Sequence, residues 1–235
     1  RLEEARAALL TPAHHFPPGV PLPPARRTAA LDWAHRTDGY LVEDDYDGEF
    51  RYDRQPIGAV QGRDPDRVVY LGSTSKSLAP VLRLGWMVVP GDLLDAVLAA
   101  MGGDQFYVNG LTTLTMADFI AHGSYDKHIR RMRLMYRRRR DRLVAALEPL
   151  GVGVSGVSAG LHLLLTLPEG TEAEVARRAG EAGIALSGLA MLRHPDAGPG
   201  TPGRDGVVVS FGTPAEHAFA PAVEALCRVL AGISR

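Results

Sequence analysis

Short apolar runs alternate with longer helical stretches along the first half of the chain. That alternation predicts a mainly parallel sheet covered by helices. ALLT (Ala8–Thr11) reads as a buried strand that the turn-rich TPAHHFPPG stops. Ahead of it the phrase RLEEARAAL is helical in character, and a chain that opens this way on Arg1 reads as a fragment whose natural N-terminus lies elsewhere. Pro23 and Pro24 favour a helix start, because the first N–H groups of a helix lack partners anyway, and that helix runs to about Arg36. YLVED (Tyr40–Asp44) is the next strand, RVVYLGS (Arg67–Ser73) a third and RLGWMVVP (Arg83–Pro90) a fourth. Chemistry in open α/β sheets gathers beyond the carboxyl ends of strands. HHFPPG, EDDYD and GSTSKS all fall there.

From Gly91 the character changes. Helices are expected at 91–101, 111–122 and 124–149, the last long enough to bridge two domains. GVGVS, LHLLLTL, a helix near 171–182, GIALS, GVVVSFG and a closing helix from Pro214 follow. Thr213-Pro214-Ala215-Glu216 has the form of a capping box with proline in the first turn. HPDAGPGTPGRD (194–205) reads as a mobile Gly/Pro loop. The pattern predicts a mainly parallel, helix-covered α/β domain over 1–123. A bridging helix and a small α+β domain follow over 124–235, the boundary lying within 105–150.

Composition narrows the class. Of 235 residues, 46% are hydrophobic and 23% charged, as in ordinary globular proteins. A formal net charge of -1 gives no global pull toward nucleic acid or an anionic membrane. The single Cys227 rules out an internal disulfide and fits a reducing cytoplasm. No apolar run approaches the ~20 residues that span a bilayer.

GSTSKS carries the sharpest candidate chemistry. A lysine just past a strand end among small hydroxyl residues can be partly desolvated, which makes its amine a nucleophile toward an aldehyde, while the hydroxyls bind a phosphate. A Walker A loop needs glycine before the lysine, and Ser75 stands there instead. The plainer reading is a polar loop with an exposed Lys76. Arg83 can close a phosphate site with a bidentate fork, or be a solvated strand-end arginine. EDDYDGEFRY lacks EF-hand ligand spacing. It is either acidic surface or a turn in which Asp44 meets a protonated ring nitrogen and Tyr46 a phenolic oxygen. RRMRLMYRRRRDR (Arg130–Arg142) invites a DNA reading. However, Ile129, Met132, Tyr136 and Leu143 keep one face apolar, which favours a solvated or domain-facing helix. His14 and His15 have no third histidine or cysteine nearby to complete a metal site, so a cofactor contact suits them better.

TPAHHFPPG, LVEDDYDGEFRY and GSTSKSLAPVLRLGW, in this order and spacing, resemble fold-type I pyridoxal-phosphate (PLP) proteins. The resemblance is to the aminotransferase-like domain of the MocR/GabR regulators, a branch of the GntR family. EFRYDRQPI, HGSYDKHIRRMRLMYRRRRD and AGLHLLL carry it across essentially the whole chain. It implies that Lys76 holds PLP as an internal aldimine and that Asp44 contacts the pyridine nitrogen. Tyr46 would contact the ring oxygen, while Ser73, Ser75 and Arg83 hold the phosphate. His14 is the better contact near the ring, since His15 stands where the family has glutamine.

The resemblance also implies the fold: a three-layer α/β/α large domain, incomplete at its N-terminus in this chain, followed by a small α+β domain. It further implies parts outside this chain, namely a winged helix-turn-helix that binds DNA and the first part of the large domain. Ordinary aminotransferases carry a substrate-carboxylate arginine on a late strand, where GVVVSFG has none. Arg193 and Arg204 are the two candidates for that role. The implied function is effector sensing by a cytoplasmic homodimer in which an amino compound replaces Lys76 on PLP. Enzyme activity stays open and is expected to stop at partial reactions. The competing readings are a genuine class I/II aminotransferase acting on an amino acid and a 2-oxo acid, and a truncated domain that binds no cofactor.

Overall fold

Parallel pairing dominates the first sheet, as the apolar runs predict. The computed structural model describes residues 4–52, 57–103, 108–196 and 204–233. The chain divides into two compact units, Arg1–Phe16 with Val20–Met132, and Pro17–Gly19 with Arg133–Arg235.

In the first unit, β1 (Ala7–Leu10), β2 (Tyr40–Asp45) and β3 (Val68–Ser73) pair in parallel. The helical phrase expected at the start is not helical where described. Tyr40 N–H bonds the carbonyl of Arg6 at 2.9 Å, and Ala7 and Ala8 are already in the sheet. Pairing with β2 overrides the local propensity. Helix α1 (Pro24–Thr37) begins on the prolines and ends at Asp38, whose left-handed backbone (φ 51°) returns its N–H to Ala34 and His35. Its Leu31, Trp33 and Ala34 form a core with Leu41, Val60 and Val68.

Two buried ions hold the loops over this core. Arg27 donates to the carbonyls of Leu22, Gly58 and Pro12 at 2.9, 2.7 and 2.7 Å. Glu43, 2% exposed, accepts from the N–H groups of Val60 and Gln61 at 3.0 and 2.9 Å. Each charge is therefore satisfied by several hydrogen bonds, the condition under which burial is tolerated.

Strand β4 (Gly85–Val88) departs from the expectation. It starts two residues after Arg83 and runs antiparallel to β3. A parallel partner needs a helical crossover, and residues 74–84 hold only a 3-10 turn at Pro80–Leu82. Gly72 opposes Trp86 in this pair, and a Cβ at position 72 would meet the indole at 2.4 Å, so any larger residue there would have to displace that ring. A 3-10 turn at Gly91–Leu93 leads into α2 (Leu94–Ala100). Helix α3 (Gly110–Ala121) follows, capped by the Asn109 side chain, which accepts from Thr112 N–H at 3.1 Å. Neither α2 nor α3 has a buried residue.

Helix α4 (Ser124–Leu147) crosses the division between the units. Ile129, Tyr136, Leu143 and Leu147 are buried at helical spacing, so the apolar stripe within the arginine run is real. Arg139 is the exception, buried on that face. The second sheet, of β5 (Gly153–Ser155), β6 (His162–Thr166), β7 (Ser187–Gly188) and β8 (Gly206–Ser210), has order β5-β6-β8-β7 and is antiparallel throughout. GIALS thus yields a two-residue strand. Helices α5 (Glu172–Glu181) and α6 (Glu216–Ala231) complete the unit.

The expected capping box does not form. Ala215 is the N-cap of α6 and makes no side-chain cap. Glu216 instead pairs with Arg139 at 2.8 Å, because a buried guanidinium has the stronger claim on a carboxylate. Of the expected mobile loop, residues 197–203 lie outside the described residues. No described helix is long and apolar enough to cross a membrane.

Candidate functional site

Two turns leave neighbouring strands at the same sheet edge. Asp44 pairs with Leu71 and Asp45 with Gly72, so β2 and β3 end side by side in the first unit. The end of β2 and the turn after it carry Asp44, Tyr46 and Asp47. The end of β3 and the loop after it carry Ser73, Ser75, Lys76 and Arg83. Adjacent strands are roughly 4.8 Å apart, so this register, more than any single side chain, makes one site of two sequence motifs.

The loop from β3 is pinned at its base. Thr74, 1% exposed, donates from both its N–H and its hydroxyl to the carbonyl of Leu84, at 3.0 and 3.1 Å. The N–H of Leu78 returns to the carbonyl of Thr74 at 2.8 Å. Lys76 stands exposed on this loop, so the partial desolvation expected from the sequence is not present in the chain as it stands. Ser73 and Ser75 are half-buried, with Ser75 N–H 3.4 Å from the Ser73 hydroxyl. Arg83 is exposed and closes the 3-10 turn in a left-handed conformation (φ 49°), rare for a residue with a side chain. It ends a turn before the strand rather than opening the strand.

Across the edge, burial first and then the neighbouring Asp45 and Asp47 push the Asp44 carboxyl above its ordinary range. Burial, with Asp47 next, also raises the Tyr46 phenol, which therefore keeps its proton at neutral pH. Tyr46 donates to the carbonyl of His14 at 3.0 Å. The ring Nδ1 of His14 lies 2.8 Å from Asp47 and 3.4 Å from the Tyr46 hydroxyl, both rings meeting at a tilt. Of the two turn histidines, His14 is thus the one tied to the acidic turn. His15 meets Thr11 at 3.3 Å, and burial, with Arg27 next, lowers its pKa.

Arg193 and Arg204 are exposed residues of the second unit, Arg193 closing the 3-10 turn Leu189–Leu192 and Arg204 preceding β8. Asp47, Thr74 and Ser77 are site residues the sequence reading passed over. Asp47 looked like one more acid in a run, and the hydroxyls of GSTSKS looked interchangeable, yet Thr74 and Ser77 turn out to be buried. Strand alternation offered no signal for them, since it stops at Ser73.

Among solved structures, the kynurenine aminotransferase of Pyrococcus horikoshii, crystallised with PMP, aligns over 96% of this chain and 56% of its own, with TM-score 0.82 and 27% identity. Fold and donor set define the class: an aminotransferase-fold protein. The Aminotransferase class I and II profile matches residues 1–197, and the chain belongs to that family. Among curated proteins it is 42% identical over 181 residues to the uncharacterized HTH-type transcriptional regulator YhdI of Bacillus subtilis, covering 75% of this chain and 39% of that protein. It is 34% identical over 189 residues to the probable rhizopine catabolism regulatory protein MocR of Rhizobium meliloti, covering 78% and 38%. The chain therefore spans well under half the length of these regulators.

Proposed function

We propose that the chain is the PLP-holding, effector-sensing part of a MocR-type transcriptional regulator. The observation that carries this reading is the register of β2 with β3, which sets the Asp44–Asp47 turn beside the pinned lysine loop. The donor set suits PLP group by group. Asp44, crowded by two further acids and raised in pKa, favours a cation beside it, such as a protonated ring nitrogen. Tyr46, held as a phenol, has one proton, now given to the His14 carbonyl, and would turn it to a ring oxygen when the cofactor binds. Ser73, Ser75 and Arg83 supply hydroxyls and a guanidinium for a phosphate, and His14 orders the Tyr46 side of the site. Lys76 is the covalent anchor. When bound, PLP supplies an electrophilic carbon and an electron-withdrawing ring.

In this reading Lys76 gives way to the amine of a small effector, whose carboxylate, if it has one, meets Arg193 or Arg204. The protein works as a cytoplasmic homodimer, and a winged helix-turn-helix elsewhere in the protein contacts DNA. A signal requires that the effector bind two conformations unequally. The regulators YhdI and MocR support this reading over a free-standing enzyme. The structural likeness to the kynurenine aminotransferase supports the second reading, a class I/II aminotransferase.

Two measurements separate the cases. Incubation with PLP is expected to give a visible band that survives dialysis in the wild type and is lost in Lys76→Ala. Its absence in the intact protein would remove the cofactor reading. Operator affinity of the intact protein is expected to change with the effector amine. An unchanged affinity together with steady release of a 2-oxo acid would establish the enzyme instead.

A further inference from the structure

The phrase HGSYDKHIRRM is a part of the family resemblance to which no cofactor role attaches. In the structure it forms the start of α4, and its side chains reach both turns of the candidate site. Tyr125 donates its hydroxyl to Glu49 at 3.2 Å. Glu49 lies at the end of the turn that carries Asp44 and Tyr46. Three residues along the same helix, His128 Nε2 lies 2.9 Å from the carbonyl oxygen of Ser77, the residue after Lys76. A carbonyl only accepts, so Nε2 carries the proton. Arg131 approaches the other ring nitrogen, Nδ1, at 3.5 Å, in keeping with an unprotonated acceptor there. Phe119 packs against both rings, at 6.4 Å and 74° to Tyr125 and 6.4 Å and 55° to His128. Residues three apart share a helix face, which is why one turn can hold two loops.

We infer that the first turn of α4 is a two-point staple, with Tyr125 and His128 as positioning residues that fix the lysine loop relative to the acidic turn. The pin at Thr74 closes the lysine loop on itself but leaves its distance from the acidic turn unset. β2 and β3 fix where each turn begins. Beyond Ser73 and Asp45 the strand register ends, and the bonds from α4 take over. Partial burial strengthens the arm to Glu49: it raises both the Glu49 carboxyl and the Tyr125 phenol, so a bond shared between them makes up for part of the solvent each has lost. The consequence for PLP rests on the proposed function, whereas the staple itself does not.

The test uses the purified chain with Tyr125→Phe, His128→Ala, His128→Gln and the double variant Tyr125→Phe/His128→Ala. Circular dichroism first establishes that each folds. Amide hydrogen exchange in the cofactor-free chain is expected to quicken at Lys76–Leu78 in His128→Ala and at Gly48–Phe50 in Tyr125→Phe. Wild-type protection should return in His128→Gln, whose amide still donates. PLP affinity, read from the lysine-dependent visible band, should fall up to about tenfold in Tyr125→Phe and in His128→Ala, the loss expected of one hydrogen bond, and stay near wild type in His128→Gln. The double variant should lose less than the product of the two, because both bonds fix one spacing. Folded variants with wild-type exchange in both segments would overturn the staple. If the segments respond but the wild-type chain gives no lysine-dependent band, the staple stands, and the same measurement on the intact protein decides the cofactor reading.

Discussion

Asp44 shows how a single carboxylate can oppose folding and serve binding together. Its pKa in the folded chain lies above the ordinary 3.8. Over the interval between the two values the folded state therefore holds more protons than the unfolded one, and stability falls as pH rises through it. Asp44→Asn removes that penalty. In the cofactor-free chain it is expected to flatten the decline in melting temperature as the pH rises above about 4, with a gain under about 1 kcal/mol because the site is partly solvated. The same variant should bind PLP more weakly, having lost the charge that faces the ring nitrogen. A melting profile that matches wild type across this range, in a chain that still binds PLP normally, would remove Asp44 from the site. The sequence put Asp44, Lys76 and the candidate phosphate donors at one sheet edge, because strand ends and turn residues are local patterns. It could not distinguish Thr74 from Ser73 and Ser75, since Thr74 turns inward to the carbonyl of Leu84, ten residues away.

Elements were legible where periodicity ran long and obscure where pairing decided. The ranges of α1 and α4 follow from proline placement and a sustained apolar stripe. The direction of β4 did not, because only the missing crossover between it and β3 reveals the antiparallel turn. Glu43 makes the same point inside one motif. EDDYD reads as four equivalent acids, yet Glu43 faces the core and binds the N–H groups of Val60 and Gln61. Glu43→Gln keeps the size but sets an amide N–H against one of those donors. It is expected to cost about 1–3 kcal/mol, measured by urea denaturation. Asp47→Asn should instead loosen His14 and Tyr46. If Glu43→Gln proves neutral, the loop from Val60 is held by something other than this carboxylate.

At the scale of the whole molecule the first unit leaves one apolar helix uncovered. In α3, Leu111 and Leu114 are 78% and 72% exposed, and no residue of that helix is buried. A helix apolar on several sides is built to be covered. The purified chain is therefore expected to associate as its concentration rises, seen as a growing sedimentation coefficient. Leu111→Glu with Leu114→Glu should hold it monomeric without altering its circular dichroism. A monomer at every concentration would mean that this surface tolerates water as it is.

Arg83 sets two kinds of selection against each other. Its left-handed backbone is one that glycine or asparagine adopts more readily than arginine. In a saturation library sorted for thermal survival alone, Arg83→Gly and Arg83→Asn should rise in frequency. In the same library sorted for retention of PLP, arginine should return at that position. The two rankings, laid side by side for every residue of the loop, would separate the positions kept for chemistry from those kept for shape.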